Sequence, residues 1–78
     1  MSKTPEKLLA GELSLTVNGE PRTVPAGTTI AAMLELLGIS GGKVAVERNR
    51  AIAPRSRFAQ EKLEDGDQIE IVRFVGGG

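Results

Sequence analysis

The chain has 78 residues, ten Lys and Arg against ten Asp and Glu, and no Cys, His, Trp or Tyr. A length of this order supports one small domain with a modest core. Without thiol or imidazole there is no disulfide, no cysteine nucleophile, and neither the commonest acid–base group nor the commonest metal ligand; zero net charge argues against nucleic acid as a partner.

Residues 1–11 are polar around Leu8-Leu9-Ala10 and lack the apolar core of a secretory signal, and no run in the chain approaches the roughly 20 apolar residues of a membrane span. A cytoplasmic chain without membrane contact is expected, beginning with a flexible extension over 1–11. Leu13-Ser14-Leu15-Thr16-Val17 alternates apolar and polar with the period of a half-buried strand. Asn18-Gly19 is a hairpin signal, since both residues tolerate positive φ. Arg22-Thr23-Val24 continues as a second strand, which is expected to lie at a sheet edge or to pair irregularly because Pro21 donates no ladder hydrogen bond.

Pro25-Ala26-Gly27 turns the chain, and Thr28 is placed to cap a helix. Ile30, Met33, Leu34 and Leu37 fall on one helical stripe, so Met33 reads as core and not as a ligand. Gly38 suits the position just past the helix, with Ile39 set for the accompanying apolar contact. Ser40-Gly41-Gly42 follows a helix and precedes a strand, the reverse of a phosphate cradle. Lys43 to Glu47 predicts a third strand, Arg48-Asn49-Arg50 a turn, and Ala51-Ile52-Ala53 a short fourth strand stopped by Pro54. A helical turn over 55–62 lets Phe58 and Leu63 cover the end of the core. Asp65-Gly66 then delivers the chain into a last strand over 68–75.

Charge is segregated late in the chain. Residues 43–57 carry Lys43, Arg48, Arg50, Arg55 and Arg57 against Glu47, net +4; residues 58–72 carry Glu61, Glu64, Asp65, Asp67 and Glu70 against Lys62, net −4. Two solvated loops and a docking surface with a polar side both fit this pattern. In the last strand, alternation turns Ile69 and Ile71 inward together with Arg73. Either the strand twists out beyond the core or a bulge reverses its facing. Val72 and Phe74 would lie outside as an apolar docking patch, with Arg73 beside them; burial of Phe74 at the sheet end is the competing reading.

Gly76-Gly77-Gly78 follows directly. Glycine has no Cβ, so the run is thin enough for a narrow channel. An α-carboxylate on Gly78, with a reference pKa of about 3.5, is ionised at neutral pH and can attack the α-phosphorus of ATP. A frayed, inert end is the other reading of three glycines.

Val17-Asn18-Gly19-Glu20, the Arg48-to-Ser56 segment with its Pro54-Arg55-Ser56 step, Leu63 to Ile71 with its Asp-Gly turn, and the terminal glycines together resemble the thiamine-biosynthesis sulfur carriers of the ThiS family over roughly residues 12–78. The resemblance implies an α+β protein of the β-grasp, ubiquitin-like fold: a mixed sheet of four to five strands with one main helix packed on one face. It implies a domain over 12–75 and a flexible reactive tail over 76–78, with no catalytic residue and no metal of its own. The family's Gly-Gly falls on Gly77-Gly78, leaving Gly76 as an extra glycine. The implied partners are an adenylating enzyme that uses ATP, a sulfur donor (a cysteine desulfurase or persulfide carrier) and thiazole synthase. No cofactor is expected to stay bound. The small subunit of molybdopterin synthase shares the fold, the Asp-Gly turn and the Gly-Gly end, and a β-grasp interaction module with an inert tail is a further alternative. The compact length and the Asn49-to-Ser56 segment favour the thiamine branch.

Overall fold

The computed structural model describes residues 11–39 and 43–73. Strands β1 (Glu12–Val17) and β2 (Glu20–Pro25) form a hairpin, helix α1 (Ile30–Leu36) crosses over, and β3 (Val44–Arg48), β4 (Ala51–Ala53) and β5 (Gln68–Arg73) complete the chain. The five strands make one mixed sheet in the order β2-β1-β5-β3-β4. β5, last in sequence, is therefore the central strand, parallel to β1 and antiparallel to β3. β2 lies at an edge, where its two prolines cost no ladder bond. Of the expected segments, 1–10 and 74–78 lie outside the described residues, and Gly11 accepts a hydrogen bond from the Ala26 amide at the far end of the hairpin.

Both hairpin turns run through left-handed backbone, at Asn18 and Gly19 (φ 52° and 84°) and at Asn49 and Arg50 (φ 53° and 71°). That signature of two-residue turns matches the right-handed twist of the strands they join. The second turn begins one residue later than expected, because Arg48 still belongs to β3, paired with Ala51.

Helix α1 is short, so its ends matter. Thr29, not Thr28, is the N-cap: its hydroxyl accepts from the Ala32 amide at 3.1 Å. Thr28 is buried and spends its hydroxyl on the Pro25 carbonyl at 2.6 Å. The Ile30 and Ala31 amides donate to the carbonyls of Glu61 and Phe58, so the amides that precede the first intrahelical bond all find acceptors. At the other end Gly38 (φ 75°) donates to Glu35 and Ile39 donates to Leu34. These are the paired bonds of a Schellman cap, which needs left-handed backbone at its glycine.

The apolar stripe of α1 packs on one sheet face. Ile30 and Met33 are fully buried, and Leu34 nearly so, against Leu15, Val17, Val24, Val44, Val46, Ala53, Ile69 and Ile71. The segment after β4 is a single 3₁₀ turn, Arg55–Arg57, not a longer helical stretch. It still seats Phe58 and Leu63 in the core, as their sequence positions predict. No helix among the described residues is long and apolar enough to cross a membrane.

Candidate functional site

The expected site is the end of β5 and the glycines beyond it. Phe74, Gly76, Gly77 and Gly78 lie outside the described residues, so the structure bears on Val72, on Arg73 and on what holds them. β5 pairs with β3 without interruption from Arg48↔Ile69 to Val44↔Arg73. There is no bulge. Arg73 keeps the facing of Ile69 and Ile71 and is exposed because the strand has run past the end of α1. There it borders an open groove of 370 Å³ with Leu37, Ile39 and Arg22. Of the two readings of the alternation, the strand that outruns its core is the correct one.

Val72 sits on the opposite, helix-free face and is 55% exposed. Its partner across the ladder is Ala45, and on the next strand Ile52, 75% exposed, stands opposite Glu47. Apolar side chains from three adjacent strands thus share one open face. Glu47 and Glu70 are also directly paired there, two carboxylates side by side and without a salt bridge among the described residues. Like charges so placed oppose each other in the free protein, and a cation brought by a partner would relieve them.

The start of β5 is held differently. Asp67 is 5% exposed and accepts three hydrogen bonds: Arg48 Nε at 2.8 Å, the Glu64 amide at 2.8 Å and Asn49 Nδ2 at 3.0 Å. Arg48 also reaches Glu61 at 3.0 Å, and Arg57 lies 3.7 Å from the same carboxylate. Burial works against the Arg48 charge, but the hydrogen bond to Glu61 and the negative charge of Asp67 outweigh it and raise its pKa above the ordinary value. Part of the charge segregation is therefore neither solvated loop nor docking surface. The basic segment and the acidic segment meet and neutralise each other under the β3–β4 hairpin.

The end of β5 is held by Asn18. Beyond Val17↔Ile69 the parallel β1–β5 ladder stops, because β1 turns away. The Asn18 side chain then takes over. Its Oδ1 accepts the Ile71 amide at 2.8 Å, and its Nδ2 donates to the Ile71 carbonyl at 3.3 Å.

These features are a small β-grasp sheet with a central last strand and an apolar outer face leading to three glycines. The ThiS family model matches residues 15–78, a range that includes all of β5 and the glycines. The chain belongs to the ThiS family. A sulfur carrier protein ThiS from Escherichia coli is 32% identical over 66 residues, which cover 85% of this chain and 100% of that one. A crystal structure of the thiamine biosynthesis protein ThiS from Geobacter metallireducens aligns with a TM-score of 0.70 at 35% identity, over 85% of this chain and 100% of that one. A thiazole synthase of Paramagnetospirillum magneticum is 50% identical over 66 residues, 85% of this chain. The ThiS-like stretch spans only 20% of that enzyme's length, and the same share of a second thiazole synthase, from Magnetococcus marinus.

The sequence pattern marked the last strand and its exposed Val72, and missed the parts that hold the strand. Asn18 and Asn49 stood in the sequence as turn residues, and Asp67 as one of several acidic positions. Their only local signal is an asparagine in a left-handed turn, where the side chain is free to bond away from its own hairpin.

Proposed function

We propose that this ThiS chain is a sulfur carrier of thiamine biosynthesis whose C-terminal Gly78 is the group acted upon. An adenylating enzyme brings ATP, and the Gly78 carboxylate attacks its α-phosphorus with loss of pyrophosphate. The terminal sulfur of a cysteine persulfide then displaces AMP to give an acyl disulfide, and a second thiol cleaves its S–S bond by exchange, becoming part of a disulfide and leaving a thiocarboxylate that thiazole synthase consumes. The chain itself contributes no catalytic group and keeps no cofactor; its work is to present a slim acyl end and be recognised. The observation that carries this reading is the family match, which extends from residue 15 to Gly78. Two thiazole synthases that contain a stretch 50% and 46% identical to this chain support the last partner.

The outer face supports a docking role. Val72, Ala45 and Ile52 offer an apolar strip beside the paired Glu47 and Glu70, which suits a partner with an apolar contact and a nearby Lys or Arg. Phe74, which alternates in step with Val72 in the sequence, extends that strip toward the tail in this reading, whereas Arg73 borders the groove on the other face.

The deciding experiment is ATP–pyrophosphate exchange with the pathway's adenylating enzyme, followed by mass spectrometry of the carrier after addition of a persulfide donor and a thiol reductant. The chain ending at Gly78 should support exchange and gain the mass of one oxygen replaced by sulfur. A chain lacking Gly78, or extended by one residue, should fold with an unchanged melting temperature and support no exchange. Full exchange by the extended chain would overturn the reading.

A further inference from the structure

We propose that Asn18 is a positioning residue for the reactive tail, a role that rests on the sulfur-carrier reading. The central strand β5 has a neighbour on each side until Ile69. Past that point β1 has turned away, and only β3 still pairs with Ile71, Val72 and Arg73. A strand end held on one side frays more readily than one held on both. The Asn18 amide group substitutes for the missing strand: one face of its side chain accepts from the Ile71 amide and donates to the Ile71 carbonyl, as a peptide group in a ladder would. The backbone beneath it is tied to the same strand, with the Asn18 amide donating to the Ile69 carbonyl at 2.8 Å. The left-handed turn at Asn18 (φ 52°) aims the side chain across to β5 instead of along its own hairpin.

Asn18 therefore holds the β1 side of β5 as far as Ile71, two residues before the last one the ladder with β3 reaches. Without it the anchored part of β5 recedes toward Ile69, and the acyl end is tethered by a longer free segment. A longer tether spreads the carboxylate over a larger volume and lowers its effective concentration at a partner's active site. The docking face of Val72, Ala45 and Ile52 is on the other side of the sheet and does not include Asn18. The expected signature is a loss in turnover, not in recognition.

The test compares two single substitutions in the full chain, Asn18→Gly and Asn49→Gly. Both keep a left-handed turn, since glycine adopts positive φ freely. Each removes a side chain that makes two hydrogen bonds at β5, at Ile71 in the first case and at Asp67 and Gln68 in the second. In Asn18→Gly, amide hydrogen exchange at Ile71 should quicken about tenfold, the scale of a lost hydrogen bond or two. The kcat of adenylation should fall by about the same factor, while KM for the carrier stays within about twofold. Asn49→Gly should lower the melting temperature and leave kcat in place. Three results would overturn the role: unchanged exchange at Ile71 in Asn18→Gly, faster exchange with full kcat, or an equal loss of kcat in both variants. Failure of the wild-type chain to support pyrophosphate exchange would instead overturn the carrier reading, with the positioning role, while amide exchange would still report whether the Asn18 clamp exists.

Discussion

The two hairpins are built alike and hold the central strand by the same device, yet the strand they hold is treated very differently at its two ends. In each, an asparagine with φ near 50° sends its side chain out of the turn to β5: Asn49 to Asp67 and the Gln68 amide, Asn18 to Ile71. At the start of β5 that asparagine joins an ionic cluster of Arg48 and Glu61, both partly buried, around the buried Asp67. At the end it stands alone, two residues short of Arg73. Among the described residues, β5 is thus anchored heavily where it enters the sheet and lightly where it leaves.

The largest effect should come from breaking the heavy anchor. Asp67→Ala removes the acceptor of three hydrogen bonds and leaves Arg48 with Glu61 alone. A loss of about 3 kcal/mol is expected, since truncating one member of a buried charged pair strands the other. Urea denaturation would measure it, and a loss below about 0.5 kcal/mol would mean that the cluster does not anchor the strand. Next comes the face that β5 presents once anchored. Val72→Ser combined with Ile52→Ser should change stability by no more than about 0.5 kcal/mol, because both side chains are already mostly in water. It should raise KM for the carrier in adenylation at least several-fold. Equal KM for both proteins would place docking elsewhere. The smallest effect separates the turns themselves. Gly19 adopts its left-handed angle freely, whereas Arg50 holds φ 71° with a Cβ that crowds the following carbonyl. Arg50→Gly should therefore stabilise the chain by up to about 1 kcal/mol, seen as a small rise in melting temperature; a fall would show that the arginine makes a compensating contact.

Much of this arrangement was legible in the linear pattern. The alternation of Leu13, Leu15 and Val17, the stripe of Ile30, Met33 and Leu34, and the punctuation by Asn18-Gly19, Pro54 and Asp65-Gly66 mark all six elements and most of the core. Pro21 pointed to an edge strand or an irregular pairing, and β2 is an edge strand with regular pairing. The cap was displaced by one residue, from Thr28 to Thr29, because two adjacent threonines offer the same hydroxyl and only the path of the preceding turn decides which faces the first amides. The single 3₁₀ turn after Pro54 was read as a longer helical stretch for a related reason. The carbonyls of Phe58 and Glu61 are taken by the amides of α1, so they do not serve a helix of their own.

What the sequence determined by itself was local: which residues turn, which alternate and which cap, together with the family pattern that ends in Gly76-Gly77-Gly78. Those properties depend on neighbours a few positions apart, and backbone sterics and side-chain period settle them before the chain folds. Tertiary structure alone decided what depends on residues far apart in the chain. It made the last strand central, carried Arg73 past the end of the helix into solvent, and brought Arg48 to Asp67 and Glu61. It also placed Asn18 beside Ile71, 53 residues away. A side-chain amide is directional but carries no mark of its partner in the linear sequence. Its partner is chosen only when the sheet order puts one bare peptide group, at the end of β5, within reach.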